Sequence, residues 1–305
     1  MSSDPIRRVT VVSTGTVKIH PEHVGPTWKP LYLWLFTSQR WTEPRPINAY
    51  VIEHREGLVL FDTGQDRASV TDPGYFPKGL NGFVYDRLAK FAIEPHETLS
   101  ARLRTLGLDV ADVHTAVLSH LHQDHIGGLP ELAGRNTTVV TTPAEWQEVL
   151  RPSPEPRGFL RSHIVLPGLN WKQIEPEPIN DSDLGPFTSG HDLFGDGSIV
   201  LLPTPGHTPG SLSMLVRRPG QAPLLMVGDL TYDARLLAAG NIPGAGNRRQ
   251  MRDTVGMVNA LRQRHPDLVV LAAHDPHAAD LLAATQNASA TQDESATRDA
   301  SATQR

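Results

Sequence analysis

The residues at positions 119–128 read Ser-His-Leu-His-Gln-Asp-His-Ile-Gly-Gly, and no other stretch of the chain is as dense in potential metal ligands. Four of these ligands fall within six positions: His120, His122, Asp124 and His125. Residues 115–118, just before them, are mostly apolar, which is typical of a buried strand. The chain is therefore expected to place a cluster of imidazole and carboxylate groups directly after the end of a strand.

The geometry of extended backbone divides these ligands into two sets. His120 and His122 point the same way, because side chains in extended backbone repeat every two residues. Asp124 and His125 fall in the following turn, where the chain can direct them toward a second point. The glycines at 127 and 128 allow the backbone to approach that point closely. One short loop can thus serve two metal ions.

Four ligands shared between two ions close neither site, so more ligands are expected downstream. His207 lies in a Pro-Gly turn between two apolar runs, Asp229 ends the apolar run at 224–228, and His274 ends the run at 268–273. Residues at the tips of buried strands can converge on one edge of a sheet. Lone histidines are more often structural, so the others are assigned no role: His20, His23, His54, His96, His114, His163, His191, His265 and His277.

This constellation resembles the metallo-β-lactamase superfamily, whose His-x-His-x-Asp-His pattern is matched at residues 120–125. The resemblance includes the three downstream ligands in the same order and the Asp-Thr-Gly at 62–64, and it covers roughly residues 7–284. It implies an α/β fold, a four-layer αββα sandwich formed by residues 1–286. It also implies that Asp62 is a carboxylate that orients a ligand histidine.

Within the superfamily the chain is most similar to the N-acyl homoserine lactonases, because Tyr232 follows Asp229 by three positions. By this resemblance two divalent metal ions are expected, one held by His120, His122 and His207, one held by Asp124, His125 and His274, with Asp229 as the bridge. Imidazole and carboxylate ligands suit zinc, although iron, cobalt or manganese can occupy similar sites.

The resemblance predicts a quorum-quenching lactonase that acts on a small-molecule lactone or ester. Two cations would hold a shared hydroxide near neutral pH, because they lower the pKa of bound water. We expect this hydroxide to attack the carbonyl, with Tyr232 donating a hydrogen bond to the developing oxyanion and Asp124 carrying a proton to the leaving group. Simple packing beneath the loop after Asp229 is the competing interpretation of Tyr232.

Because a fold does not fix a substrate, other hydrolases of the same architecture remain open: phosphotriesterases, glyoxalase II-like thioesterases and arylsulfatases. A mononuclear iron persulfide dioxygenase is an alternative from the redox class. His122 stands where flavodiiron proteins have a glutamate, which argues against that family. A noncatalytic module would not be expected to keep the complete ligand set.

The composition of the chain excludes several classes of protein and of active site. The net charge of −5 gives no basic surface for nucleic acid, and no window is apolar enough for a membrane span. The absence of cysteine excludes thiolate metal sites and cysteine nucleophiles. The polar N-terminus lacks the apolar core of a secretory signal, so a cytoplasmic enzyme is expected.

Periodicity predicts the secondary structure around the ligands. Strands are expected at 9–19, 47–52, 58–61, 115–118, 137–142, 198–202, 211–216 and 224–227, and helices at 97–106, from 143, and at 248–264. The apolar run at 31–36 is predicted to be a core strand, with an exposed lip at a homodimer contact or substrate pocket as the alternative.

Three further segments carry expectations of their own. The aromatic-rich connection at 65–95 is interpreted equally as a functional lid or as a satellite hydrophobic cluster. Residues 151–183 are expected to form an irregular, proline-rich insertion that shapes the substrate entrance. Residues 287–305 repeat Ser-Ala-Thr without large apolar side chains and are expected to be a disordered low-complexity tail.

Overall fold

The computed structural model describes residues 4–286. Its strands are β1 (Ile6–Ile19), β2 (Arg45–His54), β3 (Gly57–Phe61), β4 (Ala89–Ala92), β5 (Val113–Val117), β6 (Thr138–Thr141), β7 (Asn170–Gln173), β8 (Glu177–Pro178), β9 (Ser189–Asp192), β10 (Ile199–Pro203), β11 (Leu212–Val216), β12 (Leu224–Met226) and β13 (Val269–Leu271). Within the described residues they form a seven-stranded sheet, ordered β4-β1-β2-β3-β5-β6-β7, and a six-stranded sheet, ordered β13-β12-β11-β10-β9-β8.

The helices connect these strands and cover the outer faces of the sheets. They are α1 (Pro21–Val24), α2 (Leu31–Thr37), α3 (Ala68–Thr71), α4 (Leu80–Leu88), α5 (Leu99–Thr105), α6 (Gln123–Ile126), α7 (Leu129–Leu132), α8 (Pro143–Leu150), α9 (Arg161–Ile164), α10 (Ala234–Ala238) and α11 (Arg248–Arg264). Short 3₁₀ turns lie at Pro95–Glu97, Val110–Asp112, Glu155–Arg157, Ser182–Leu184 and Gly228–Leu230. Every helix in the described part of the chain is too short or too polar to traverse a lipid bilayer.

Alternation along the strands builds the layers. In β3, Val59 and Phe61 join the core between the two sheets, whereas Leu58 and Leu60 pack against the helices outside the first sheet. Side chains of a strand point to opposite faces in turn, so a continuously apolar strand supplies two cores at once. The expected four-layer αββα sandwich is confirmed.

The two outer layers differ in how they are built. Short helices α5, α7 and α8 cover the first sheet, with Leu99, Leu129 and Val149 in one apolar cluster. The second sheet is covered by the long helix α11, whose Val255, Val258 and Leu261 are buried against it. These apolar stripes recur every three or four residues, which is the spacing of one helix face.

Strand direction brings four loops to one edge of the sandwich. β11 is antiparallel to both β10 and β12, and β13 is parallel to β12, so β10, β12 and β13 all end at the same edge. The backbone N–H of Leu212 donates to the carbonyl of Ser119 at 2.8 Å, which ties that edge to the loop after β5. The segments that carry His120, His207, Asp229 and His274 therefore meet.

Most predicted elements are found within two or three residues of their expected bounds, but two predictions need correction. Residues 31–36 form a helix rather than a core strand: Trp34 and Leu35 are buried, while Tyr32, Leu33 and Phe36 are exposed. The insertion at 151–183 contains regular structure, because β7 pairs in parallel with β6 and β8 pairs with β9. The tail expected at 287–305 lies outside the described residues.

Candidate metal centre

The first predicted ligand group comes together at the common edge. Ligand atoms of His120, His122 and His207 all lie within 4.8 Å of one another. Nδ1 of His122 and Nε2 of His207 are 3.0 Å apart, although the two residues are 85 positions apart in the chain. The ring of His120 lies edge-on to both of the other rings. Three imidazoles thus face one point.

The second predicted group lies beside the first. Ligand atoms of Asp124, His125 and His274 also lie within 4.8 Å of one another. An oxygen of Asp124 is 3.5 Å from Nε2 of His274. The carboxylate of Asp229 reaches both groups: its Oδ1 is 3.3 Å from Nε2 of His125, and its Oδ2 is 3.6 Å from Nε2 of His207. All seven predicted ligands are therefore brought together, with Asp229 between the two sets.

Hydrogen bonds on the outer side of the rings fix which nitrogen faces the centre. His122 donates from Nε2 to a backbone carbonyl (3.0 Å), His125 from Nδ1 to the carboxylate of Asp62 (2.8 Å), and His274 from Nδ1 to a backbone carbonyl (3.0 Å). Because carbonyl and carboxylate oxygens only accept, the contacting nitrogen carries the hydrogen. The opposite nitrogen of each neutral ring then presents its lone pair to the centre, which is the form that binds a metal.

A second observation also indicates that these residues fit a metal ion. Nε2 of His120 is buried and has no hydrogen-bond partner among residues 4–286, and Nε2 of His125 and Oδ1 of Asp229, which face each other at 3.3 Å, are buried without a well-aligned hydrogen bond. Buried polar atoms in native proteins are nearly always paired, because an unpaired one loses its hydration without compensation. A cation that takes several nitrogen and oxygen ligands supplies the missing partner. Imidazole and carboxylate ligands suit zinc, iron, cobalt or manganese.

The pKa values of the histidines in the site are shifted in opposite directions. Burial and the neighbouring imidazoles hold the pKa of His120 well below its usual value, and burial does the same to the pKa of His207. Burial also opposes charge on His125, but the carboxylates of Asp229 and Asp62 outweigh it and raise the pKa of His125 well above its usual value. A metal ion would take the place of that proton.

Asp62 holds the second group from behind, as the resemblance implied. Its carboxylate accepts hydrogen bonds from the backbone N–H of Ser119 (2.7 Å), from the Ser119 hydroxyl (2.8 Å) and from His125. Asp62 has a φ of +62°, a left-handed conformation that Asp tolerates better than most residues. The turn after β3 therefore aims this carboxylate at the ligand loop.

Glu145 at the start of α8 links the two ligand loops from the other side. Its fully buried carboxylate accepts from the backbone N–H of Leu121 (2.9 Å), the hydroxyl of Thr208 (2.7 Å) and the backbone N–H of Gly210 (3.0 Å). Burial outweighs these hydrogen bonds and raises the pKa of Glu145 to about 7. The loops that carry His122 and His207 are thereby held at a fixed separation.

Tyr232 lies at the inner end of the site. Its hydroxyl donates to Oδ2 of Asp229 at 2.7 Å, and its ring stacks on His274 with 5.4 Å between the ring centres. The ring also packs in an apolar cluster with Val17 and Ile47. The ring of Tyr232 is thus packed in a small core, as one interpretation expects, while its hydroxyl faces the metal ligands, as the other expects.

A cavity of about 390 Å³ opens in front of the ligands. Its inner end is lined by ligand side chains together with Tyr232 and His23. Its walls are mainly apolar and include Val17, Ile19, Leu31, Leu35, Leu88 and Phe91. The residues of α2 and of the 65–95 connection therefore form a pocket wall. Tyr75 and Tyr85 of the same connection also pack with Leu160, so this segment is both part of the pocket wall and a satellite cluster.

Sequence reasoning overlooked two side chains here. It gave no role to Glu145, although Glu145 lies four residues before the buried Val149 and so shares its helix face, a signal that could have identified it. It assigned no role to His23, which is 7 % exposed and lines the cavity. A single histidine in a short turn offers no pattern that would have revealed it.

The comparisons with known proteins agree with this geometry. The chain matches the family model of the metallo-beta-lactamase superfamily over residues 42–274. It is 30% identical over 237 residues to an N-acyl homoserine lactonase, AttM, of Rhizobium radiobacter, a match that covers 76% of this chain and 83% of the relative.

Two solved structures share the fold. Bacillus thuringiensis AiiA with N-decanoyl-L-homoserine bound at its active site gives a TM-score of 0.69 at 20% identity, covering 88% of this chain and 94% of that one. AidC, a dizinc quorum-quenching lactonase with a bound homoserine product, gives 0.57 at 15% identity, covering 90% and 92%. Together with the ligand geometry, the family match shows that this chain is a metal-dependent hydrolase of the metallo-β-lactamase superfamily.

Proposed function

We propose that the chain, a domain formed by residues 1–286, is a dinuclear hydrolase that opens the lactone ring of N-acyl homoserine lactones. The observation that carries this proposal is the form of the cavity, which joins two ligand groups at its inner end to a largely apolar wall. A small polar ring with an apolar tail matches such a cavity, since pockets combine apolar walls with a few placed polar groups. The names of the AttM and AiiA relatives support the same substrate class.

Two divalent cations, for which zinc is the proposed identity, would supply Lewis acidity and a hydroxide nucleophile near neutral pH. We assign the first to His120, His122 and His207. The second is assigned to Asp124, His125 and His274, with Asp229 between the two. The structural neighbour AidC, a dizinc lactonase, supports the number and identity of the ions, and the two groups of ligand atoms support their division.

The chain's own residues then orient the substrate and move protons. Burial and the charge of Asp229 raise the pKa of Tyr232 well above its usual value, so its hydroxyl keeps its proton and can donate to a carbonyl oxygen as negative charge develops. The hydroxyl group turns from Asp229 toward that oxygen. The apolar wall holds the tail and excludes water from the far side of the ring.

Asp124 is the proposed proton carrier. Its side chain is 18% exposed and lines the cavity, so a substrate can reach it. When the nucleophile adds to the carbonyl, the ring C–O bond breaks and the departing alkoxide needs one proton. Asp124 accepts the proton of the attacking group and delivers it to that alkoxide, which yields the open-chain hydroxy acid.

Metal quantitation coupled to hydrolysis of a long-chain N-acyl homoserine lactone tests the proposal. We expect two equivalents of metal per chain, ring opening by the native protein, loss of turnover after chelation, and recovery when zinc is restored. Hydrolysis of a thioester or an organophosphate but not of the lactone would assign the site to another hydrolase of this fold. One iron and no zinc would contradict the dinuclear assignment.

A further inference from the structure

His23 occupies the boundary between the ligand end of the cavity and its apolar wall. It lies in the short turn α1, directly after β1. Its ring centre is 5.3 Å from that of Tyr232 and 5.4 Å from that of Trp34 in α2. Helix α2 also contributes Leu31 and Leu35 to the cavity wall. A molecule whose reacting group sits among the ligands and whose tail lies along α2 must pass this imidazole.

The imidazole of His23 packs against two aromatic rings but has no hydrogen-bond partner among residues 4–286. Its Nδ1 is sealed from solvent, and neither ring nitrogen makes a hydrogen bond with any of residues 4–286. His20, three residues earlier, provides the contrast: its two nitrogens contact the carbonyl oxygens of Arg40 (2.7 Å) and Arg87 (2.8 Å). Both ring nitrogens of His20 thus lie within hydrogen-bond distance of a protein atom. His23 is a buried polar group that still lacks a partner, which is rare in native proteins.

The cavity can supply that partner. Because protein atoms enclose Nδ1, the nitrogen that a bound molecule can reach is Nε2. Burial, opposed by the charges of Asp229 and Asp124, lowers the pKa of His23 to about 4. The ring is therefore neutral near pH 7 and can donate or accept one hydrogen bond at Nε2. A neutral imidazole suits a neutral polar group such as an amide better than it suits a carboxylate.

We propose that Nε2 of His23 hydrogen-bonds the amide group that joins the acyl tail to the lactone ring, and that His23 makes the cavity prefer N-acyl lactones to plain alkyl lactones. This inference rests on the proposed lactonase function. A site built to hydrogen-bond a substrate group discriminates against an analogue that lacks the group, because the buried partner is then left unpaired. His23 is thus a specificity-determining residue outside the ligand set.

The experiment compares two substrates of equal tail length: N-decanoyl homoserine lactone and an α-alkyl-γ-butyrolactone that has no amide. In the metal-loaded enzyme, His23→Phe is expected to lower kcat/KM for the N-acyl lactone by about tenfold or more, which is the effect of one lost buried hydrogen bond. Turnover of the alkyl lactone should change much less. His23→Gln, which keeps a donor and an acceptor, should restore much of the preference.

A matched control separates recognition from general damage to the wall. Ile19 lines the same cavity and its side chain has no polar atom. Ile19→Ala is therefore expected to lower kcat/KM to the same degree for both lactones. The dissociation constant of the N-decanoyl homoserine product gives a readout independent of turnover, and it should rise about tenfold in His23→Phe. Metal content and the unfolding midpoint are measured for every variant. If His23→Phe does not fold, His23→Leu takes its place.

The outcomes distinguish the two proposals. Equal losses on both lactones in the His23 variants, or no loss on either, would overturn the role of His23 while leaving the lactonase function intact. A native enzyme that opens neither lactone would overturn the proposed function, and the role of His23 with it. A preference for the N-acyl lactone that disappears in His23→Phe and returns in His23→Gln supports both.

Discussion

The hydroxyl of Tyr232 donates a hydrogen bond of 2.7 Å to the carboxylate of Asp229, the residue that lies between the two ligand groups. Both side chains are buried. The contact holds the phenol hydroxyl beside the metal ligands. Burial, and then the negative charge of Asp229, raise the pKa of Tyr232, so its protonated state is the stable one. A bound carbonyl oxygen would find a ready donor there.

Tyr232→Phe removes that donor without changing the shape of the ring. We expect kcat for lactone hydrolysis to fall by about 10²-fold, the typical effect of deleting one donor to a developing oxyanion. Metal content should stay at the native level, because Asp229 keeps its carboxylate. Steady-state kinetics together with metal analysis check both expectations.

Tyr75→Phe is the matched control, because Tyr75 is also buried but its hydroxyl contacts Gln65 rather than a ligand. Turnover within about twofold of native is expected for this control, as for most changes that leave the site intact. Native turnover in Tyr232→Phe, alongside loss of turnover in Asp229→Asn, would leave the hydrolase assignment in place and reduce Tyr232 to a packing residue.

The ligand set could be predicted because its signals are local or repeated. Residues 120–125 carry the first four ligands in one window, and each remaining ligand follows an apolar run that does form a strand: β10 before His207, β12 before Asp229 and β13 before His274. Strand ends on one edge are a consequence of sheet topology, so position along the chain was informative.

Other features depend on contacts between residues that are far apart in the sequence. The run at 31–36 has no periodicity because every residue is apolar, and such a run does not distinguish a strand from a helix. Its helical form is set by tertiary packing, in which Trp34 is buried and donates to the carbonyl of Gly244, 210 residues away. Glu145 likewise acquires its role from Gly210, 65 residues downstream.

Glu145→Gln tests whether that carboxylate positions the ligand loops. Three donors converge on Glu145, and an amide cannot accept from all of them, because its NH₂ group is itself a donor. We expect metal affinity to fall by about 10- to 100-fold, the usual range for residues that orient ligands from behind. Competition with a chromophoric chelator measures the change.

Asp181→Asn serves as the control for Glu145→Gln. Asp181 also bonds strongly, to Arg217 at 2.7 Å, but it does so away from the ligand loops. Metal affinity should remain native in this variant. Equal affinities in Glu145→Gln and in the native protein would show that the three hydrogen bonds are not needed to place the ligands.

Gly158→Ala tests the space behind His122. Gly158 has a φ of +92°, and an added Cβ would lie 2.6 Å from Cδ2 and 2.7 Å from Nε2 of the His122 ring. The ring must shift, so we expect metal affinity to fall by about tenfold or more. Calorimetric titration of the metal-free protein with zinc measures this change in metal affinity.

Gly107→Ala provides a closely matched comparison for Gly158→Ala. Gly107 has a φ of +75° and no atom within 4 Å of the added Cβ, so it carries the same left-handed strain, about 1–2 kcal/mol, without a clash. Both variants should unfold at lower denaturant concentration than the native protein. Only Gly158→Ala should bind metal more weakly, and equal metal affinity in the two variants would contradict the role of this space.

His23 predicts a pH dependence of stability. Its pKa in the folded protein is lowered to about 4 from an ordinary value of 6.5, so as pH falls below 6.5 the unfolded chain binds the proton first. The free energy of unfolding should therefore decrease between pH 6.5 and pH 4. At about 1.4 kcal/mol per pH unit, the difference amounts to about 3 kcal/mol.

The comparison with His23→Phe isolates this contribution, because phenylalanine has no proton to bind. The charged and titratable groups around His23 are the same in both proteins: Asp124, Asp229, His122 and His274. Bound cations act in the same direction as burial, since they also disfavour an imidazolium. Urea unfolding of both proteins at several pH values should show the native protein losing about 3 kcal/mol more than the variant as pH falls from 7 to 4. Parallel stability curves would mean that His23 takes up its proton in the folded state near its ordinary pKa, and hence that its burial beside the cavity does not disfavour the charged ring.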